Sequence, residues 1–208
     1  MNWIERMYEI KGRDLYSQNG EGLYLEYIVH CIGLSRGVMF DIGSGDGFVL
    51  SNSRHLDNIG WEVWCFDSLI GRTVNVDNCL RLTDNPSMTW PKIISIDIDG
   101  NDYWILDKQL PFYKPAIVIA EFNPAYTNSR TIAYNPDHVW AGDSYYGFTF
   151  EAGVKLADKH GYKVIFQIAD MNMIMVLADL IEGLYIPSIQ YNESTFFKMS
   201  DRTDWVMV

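Results

Sequence analysis

The chain has 208 residues, 48% hydrophobic and 21% charged, with 16 Gly and 7 Pro; such a composition folds around an apolar core and excludes the disordered, collagen-like and disulfide-scaffold classes. Its 27 acids against 16 bases leave a net charge of −11, which opposes attraction to phosphate backbones and anionic lipid and argues against a nucleic-acid or membrane partner. Cys31, Cys65 and Cys79 form no C-x-x-C pair, so neither a zinc site nor a disulfide framework is implied. With no continuous apolar leader, the expectation is a cytoplasmic protein of one domain, 1–208, with a short N-terminal helical extension.

Residues 21–34 place Leu23, Tyr27 and Cys31, and Tyr24, Ile28 and Ile32, at helical spacing, which predicts an amphipathic helix ending near Gly33. Asn19 is its candidate N-cap, or else turns toward a ligand. A short strand at 38–40 leads into a glycine-rich turn, and 48–59 predicts a helix stopped by Gly60. Strands follow at 61–67, weakly at 72–76, at 93–99 and at 116–122, with a helix over 101–110 between the last two. Near-continuous apolar strands separated by helices argue for an α/β fold with a mostly parallel sheet covered on both faces. A helix over 150–160 precedes two strand-like runs joined too tightly for a crossover, which predicts a C-terminal antiparallel hairpin. From Leu180 onward the apolar residues show no clear period.

The strongest local signal is Asp41-Ile-Gly43-Ser44-Gly45-Asp-Gly47 where the first strand gives way to a helix, with Asp67 ending the next strand. Glycines there let the backbone approach a ligand, and a carboxylate at the second strand's end accepts ribose hydroxyls. A dinucleotide fingerprint counted from Gly43 needs a small residue where Phe48 stands. Asp41 suits a ligand bearing an ammonium group better than a pyrophosphate. S-adenosylmethionine (SAM) is such a ligand, with Asp41, Gly43, Ser44, Gly45, Gly47 and Asp67 as its candidate binding residues; the plain alternative is turn chemistry.

In chain order, SQNGEG (17–22), FDIGSGDGFVLSNSRHL (40–56), GWEVWCFD (60–67), SIDIDGNDYWIL (95–106), VIAEFN (118–123), YNPDHVWAGDSYYG (134–147) and HGYKVI (160–165) resemble blocks of FkbM-type SAM-dependent methyltransferases. The resemblance implies a Rossmann-like class I methyltransferase fold and O-methylation of a hydroxyl on a sugar or other small acceptor. The stretch between Asp67 and Ser95 is short for that family, so the helix between the third and fourth strands is expected to be missing or reduced. Asp77 and Asn78 after the weak strand are candidates for the adenine amino group, or else turn formers.

A second constellation, Asp97-Ile-Asp99-Gly-Asn101-Asp102 at the end of the fourth strand, meets Glu121 and Asn123 at the end of the fifth. Carboxyl ends of adjacent parallel strands open into the ligand crevice, and alternation puts Asp97 and Asp99 on one strand face. Asp97, Glu121 and Asn123 are similar to the metal ligands of some metal-dependent O-methyltransferases and suit Mg²⁺ or another hard divalent cation; otherwise Asp99 and Asn101 cap the next helix. Asp97, Asp99 and His138 are the candidate catalytic groups, His138 as general base, and Trp140, Tyr145 and Tyr146 either wall the acceptor pocket or pack against the last helix. Two rival readings are a catalytically inactive SAM-binding or assembly protein of the same fold and an NAD-dependent oxidoreductase, the latter disfavoured by Phe48 and the hairpin.

Overall fold

The computed structural model describes residues 1–12, 14–82, 90–191, 193–194 and 196–208. Helices α1 (Trp3–Arg6) and α2 (Glu21–Cys31) precede strand β1 (Val38–Ile42). Helix α3 (Arg54–Asn58) leads to β2 (Glu62–Phe66), and β3 (Ile93–Ile96), α4 (Asp102–Tyr113) and β4 (Ile117–Glu121) follow. After the short β5 (Arg130–Ile132) come α5 (Phe150–Lys159), β6 (Tyr162–Ile168), β7 (Asn172–Leu177) and β8 (Trp205–Met207). Six strands form one sheet in the order β2-β1-β3-β4-β7-β6, parallel except at β7, while β5 and β8 pair antiparallel in a separate small sheet. This is the mostly parallel α/β arrangement that the strand pattern predicts, closed by the expected hairpin.

The hairpin turns through Ala169 and Asp170, both at positive φ (51° and 55°), the backbone whose twist matches that of the flanking strands. Alternation along the strands splits the core in two. Phe40, Ile94, Val118 and Met175 face α4 and α5, where Ile105, Leu106 and Leu156 close over them. Met39, Ile93, Ile117, Ile119 and Ile174 face the N-terminal helices, packed against Ile4, Leu25 and Ile28. The same parity assigns Asp41, Ser95, Glu121 and Asn172 to the face that α2 covers.

Three local expectations are corrected. The helix expected over 48–59 is confined to α3, because the Asp46 carboxylate accepts from Phe48 N (2.8 Å) and Val49 N (3.0 Å) and Leu50 adopts a left-handed φ of 59°. A side chain that bonds its own backbone offers a turn in place of a helix, and Phe48, Val49 and Leu50 stay exposed. No strand forms at 72–76: Asn75 Oδ1 accepts from Asp77 N and Asn78 N, and Asn78 Nδ2 donates to the Thr73 carbonyl, so those amides are drawn into turns and β2 remains the sheet edge. Between Gly71 and Trp90 the described residues form no helix; residues 83–89 lie outside them. Asn19 is not the N-cap of α2 either. That position is Gly20 at φ 89°, with no side-chain cap bond. The tail from Leu180, which carries no readable period, returns to lay β8 along β5.

Where β1 and β3 end, a Cβ on Gly43 would lie 1.6 Å from the Asp97 carbonyl oxygen, at a φ of +86°. Gly45, at φ +57°, has open space around it. Gly43→Ala is therefore expected to destabilise the protein by more than about 3 kcal/mol, or to prevent folding, because backbone must move. Gly45→Ala carries only the left-handed penalty of about 1 kcal/mol. Thermal unfolding of the two variants checks this; equal losses would contradict the close crossing.

Candidate functional site

The carboxyl ends of β1, β2 and β3 open into a cavity of about 600 Å³ lined by Gly43, Gly45, Asp67, Asn75, Asp97, Asp99, His138 and Trp140 among others, a size in the range of small-molecule and cofactor sites. The glycine loop forms one wall. Gly43 N donates to the Phe66 carbonyl (2.8 Å) and Gly47 N to that of Ser44 (2.9 Å), so the loop is bound to the end of β2. Asp67 completes that wall, accepting from Gly45 N through Oδ2 (2.9 Å) and from Leu69 N through Oδ1 (2.8 Å). Oδ1 also accepts from Ser68 Oγ (3.4 Å), and Oδ2 keeps acceptor capacity for a ligand hydroxyl.

Other residues of the first motif face elsewhere. Asp41 is buried and turned to the α2 side of the sheet, where its Oδ2 accepts from Ser53 Oγ (2.6 Å) and Ser51 Oγ (3.1 Å). Burial raises its pKa while the hydroxyls of Ser53, Ser95 and Ser51 oppose the rise. The carboxylate expected to meet a ligand ammonium therefore anchors the 51–53 segment and does not line the cavity. Ser44 is buried within the loop. Asp77 is exposed, and Asn78 closes the 75–78 turn through Asn75 N (2.8 Å); the residue that reaches the cavity from this segment is Asn75. Its signal was legible as the Asn-x-x-Asn spacing of a side-chain-bonded turn.

The opposite wall is acidic. β3 stops at Ile96, so Asp97 and Asp99 stand in the loop beyond it and share no strand face, with Asp99 at a left-handed φ of 52°. Their carboxylate oxygens nevertheless converge with that of Glu121, all within 4.8 Å of one another. Asp102, named in the second constellation without a role of its own, shapes this loop by accepting from Ile98 N (2.9 Å) and Gly100 N (2.8 Å). Asn101 does not cap α4 through its side chain. Its Nδ2 donates to the Asn135 carbonyl (2.7 Å) and its Oδ1 accepts from Asn135 N (3.3 Å), tethering the 134–140 loop. Asn123 leaves the expected ligand set: Nδ2 donates to the carbonyls of Ser144 (2.9 Å) and Tyr146 (3.0 Å), and Oδ1 accepts from Ala125 N (3.0 Å). It braces the chain after β4, and Asp99 stands in its place beside Asp97 and Glu121.

Crowding and burial favour the protonated acids. Burial, then the Asp102 and Asp99 charges, push Asp97 up to about 7, and burial with Asp102 pushes Asp99 up to about 6. Glu121 rises well above the usual carboxylate range, from burial and then from Asp97. The phenol of Tyr146 is pushed up by burial and then by the Glu121 charge. A buried carboxyl pair that interacts this strongly holds a proton between its members.

His138 stands beside the acidic loop on the same side of the cavity. Its ring packs on Gly100, where a Cβ would come within 2.9 Å of Cδ2, and its Nε2 is buried without a hydrogen-bond partner among the described residues. Burial lowers its pKa, opposed by a hydrogen bond to the Asp99 backbone, so the imidazole is neutral at neutral pH. Trp140 also lines the cavity, whereas Tyr145 and Tyr146 are buried and pack against Trp205 and Phe197 of the tail.

No family model and no curated protein matches the chain. Among solved structures it is similar to one described as "Crystal structure of small RNA methyltransferase HEN1", at 11% identity and a TM-score of 0.38, over 95% of this chain and 29% of the other. At that score the likeness carries nothing about activity or substrate. No helix among the described residues is long and apolar enough to cross a membrane.

The raised acids set a pH dependence. A carboxyl whose folded pKa exceeds its unfolded value of about 4 contributes stability below pH 4 that is lost as pH rises through the folded value. In the presence of EDTA, the melting temperature should therefore fall by several degrees between pH 5 and pH 8, as Asp99 (about 6) and Asp97 (about 7) ionise. Asp97→Asn should flatten the slope. A melting temperature that rises across this interval would contradict the acidic wall.

Proposed function

We propose that this protein is a SAM-dependent methyltransferase of the FkbM type, which O-methylates a hydroxyl on a sugar or other small acceptor. The observation that carries the reading is one cavity lined on one side by the glycine loop with Asp67 and on the other by Asp97, Asp99 and His138. The motif order along the chain, from SQNGEG to HGYKVI, supports the family assignment.

Asp67 would accept the ribose hydroxyls, and Gly43 and Gly45 would bring backbone close to the ligand. When bound, SAM supplies a methyl group on a positively charged sulfonium, which an acidic wall attracts. Holding the acceptor oxygen in line with that methyl supplies much of the acceleration. His138, whose Nε2 has no hydrogen-bond partner among the described residues and whose pKa is lowered by burial, would take the proton of the acceptor hydroxyl. Trp140 offers a face for a sugar ring to stack on.

The dinucleotide alternative is disfavoured by the start of α3. A Rossmann site sets a helix N-terminus directly behind its glycine loop to hold the pyrophosphate. Here α3 starts only at Arg54, after the Asp46 turn.

Calorimetric titration with SAM, its demethylated product and NAD tests the cofactor. The first two should bind and NAD should not. Asp67→Ala should weaken SAM binding by roughly 10- to 150-fold, the equivalent of about 1.5–3 kcal/mol for a hydrogen bond to a charged acceptor. Undiminished affinity in that variant would remove the ribose assignment.

Labelled SAM screened against sugars, phenols, peptides and RNA tests the acceptor; transfer confined to RNA or to nitrogen acceptors would overturn O-methylation. His138→Ala should lower turnover by roughly 10²- to 10⁴-fold with SAM affinity unchanged. Cofactor binding without transfer to any acceptor would support the inactive alternative.

A further inference from the structure

We infer that Asp97, Asp99 and Glu121, together with the amide oxygen of Asn172, form a binding site for a hard divalent cation. Three carboxylate oxygens from two different strand ends lie within 4.8 Å of one another, an arrangement in which one ion can touch all three. Among the described residues, none of the three acids is in a salt bridge with Lys, Arg or His. Their charge is therefore unbalanced by the protein itself.

Asn172 supplies the independent observation. It is the register partner of Glu121 across β4 and β7, so its side chain stands beside Glu121 on the same face, within cross-strand reach. It is 5% exposed. Its Nδ2 donates to Glu21 Oε1 (3.1 Å), which fixes the orientation of the amide. Its Oδ1 is buried without a hydrogen-bond partner among the described residues.

Buried amide oxygens are nearly always satisfied, and an orphan calls for an explanation. An ionised carboxylate cannot satisfy this one, since it accepts only, and the proton that Asp97 and Glu121 hold lies in the side-chain hydrogen bond between those two. A cation satisfies it together with the carboxylates. Glu21 is fully buried, and it receives Asn19 N (2.7 Å) and Asn19 Nδ2 (3.1 Å) as well as Asn172. In this way the segment before α2 holds the amide in place. Four protein oxygens, three of them from carboxyl groups that ionise as a cation binds, suit Mg²⁺, Mn²⁺ or Ca²⁺, with water completing the shell.

Asp97 and Asp99 also line the cavity of the methyl-transfer reading, so the site adds to that reading, and its test is separable from it. Protein stripped with EDTA and desalted is titrated by calorimetry with Mg²⁺, Mn²⁺ and Ca²⁺ alone, and in parallel with the demethylated product of SAM. The expected result is one cation per chain with Kd below about 1 mM for at least one of the three ions, accompanied by a rise in melting temperature. Asp99→Asn, at a position whose side chain makes no hydrogen bond within the described fold, should weaken that binding by about tenfold or more. Glu121→Gln should do the same where it folds.

Failure of all three ions to bind would overturn the inference, as would cation affinity unchanged in Asp99→Asn. Nucleoside binding without cation binding would leave the cofactor reading standing while removing this site. Cation binding without nucleoside binding would do the reverse.

Discussion

Gly43 passes against the Asp97 carbonyl so closely that no side chain fits between them. The crossing is framed by hydrogen bonds on both sides: Gly43 N donates to Phe66 O, and Asp97 N donates to Ile42 O. Three adjacent strand ends are thereby tied within one turn of chain. The glycine loop, Asp67 and the acidic loop face each other across a single cavity because of this contact, and the rest of the site inherits its geometry from it.

The polar band at these strand ends is built from two kinds of buried acid. Asp41 and Asp102 are satisfied from within, the first by serine hydroxyls and the second by backbone N–H groups. Their role is to fix the loops at 43–53 and 98–102. Asp97, Asp99 and Glu121 are instead crowded against one another, with burial and mutual repulsion raising all three. Such an arrangement lowers the stability of the ionised fold and stores an attraction for positive charge. Acids with pKa values shifted by burial and by one another cluster at functional sites.

Much of the fold was legible because its signals are local. Apolar strands closed by glycines or acids, and two strand runs joined by a tight turn, announce a parallel sheet with a terminal hairpin. Errors arose where a polar side chain competed for the backbone. Asp46 replaced a helical turn after the glycine loop, and Asn75 and Asn78 replaced a strand. The weak period of the tail concealed β8, whose partner β5 lies far away in sequence. In the site, the glycine loop, Asp67, the two acids after β3, Glu121 and His138 were all visible as residue types at strand ends. The directions of their side chains were not.

Sequence alone determined which polar residues cluster at strand ends and which end of the sheet holds them, since strand periodicity and glycine placement depend only on neighbours along the chain. Tertiary structure decided what each does. Asn123 and Asn172 are both asparagines at sheet ends, yet the first gives its whole amide to loop backbone, while the second keeps a buried oxygen beside Glu121. Asp41 and Asp97 are both acids on β1 and just after β3, yet one meets serines and the other meets carboxylates. Hydrogen-bond partners and local charge are set by the chain segments that pack against a residue, and those segments come from parts of the sequence that no local pattern connects.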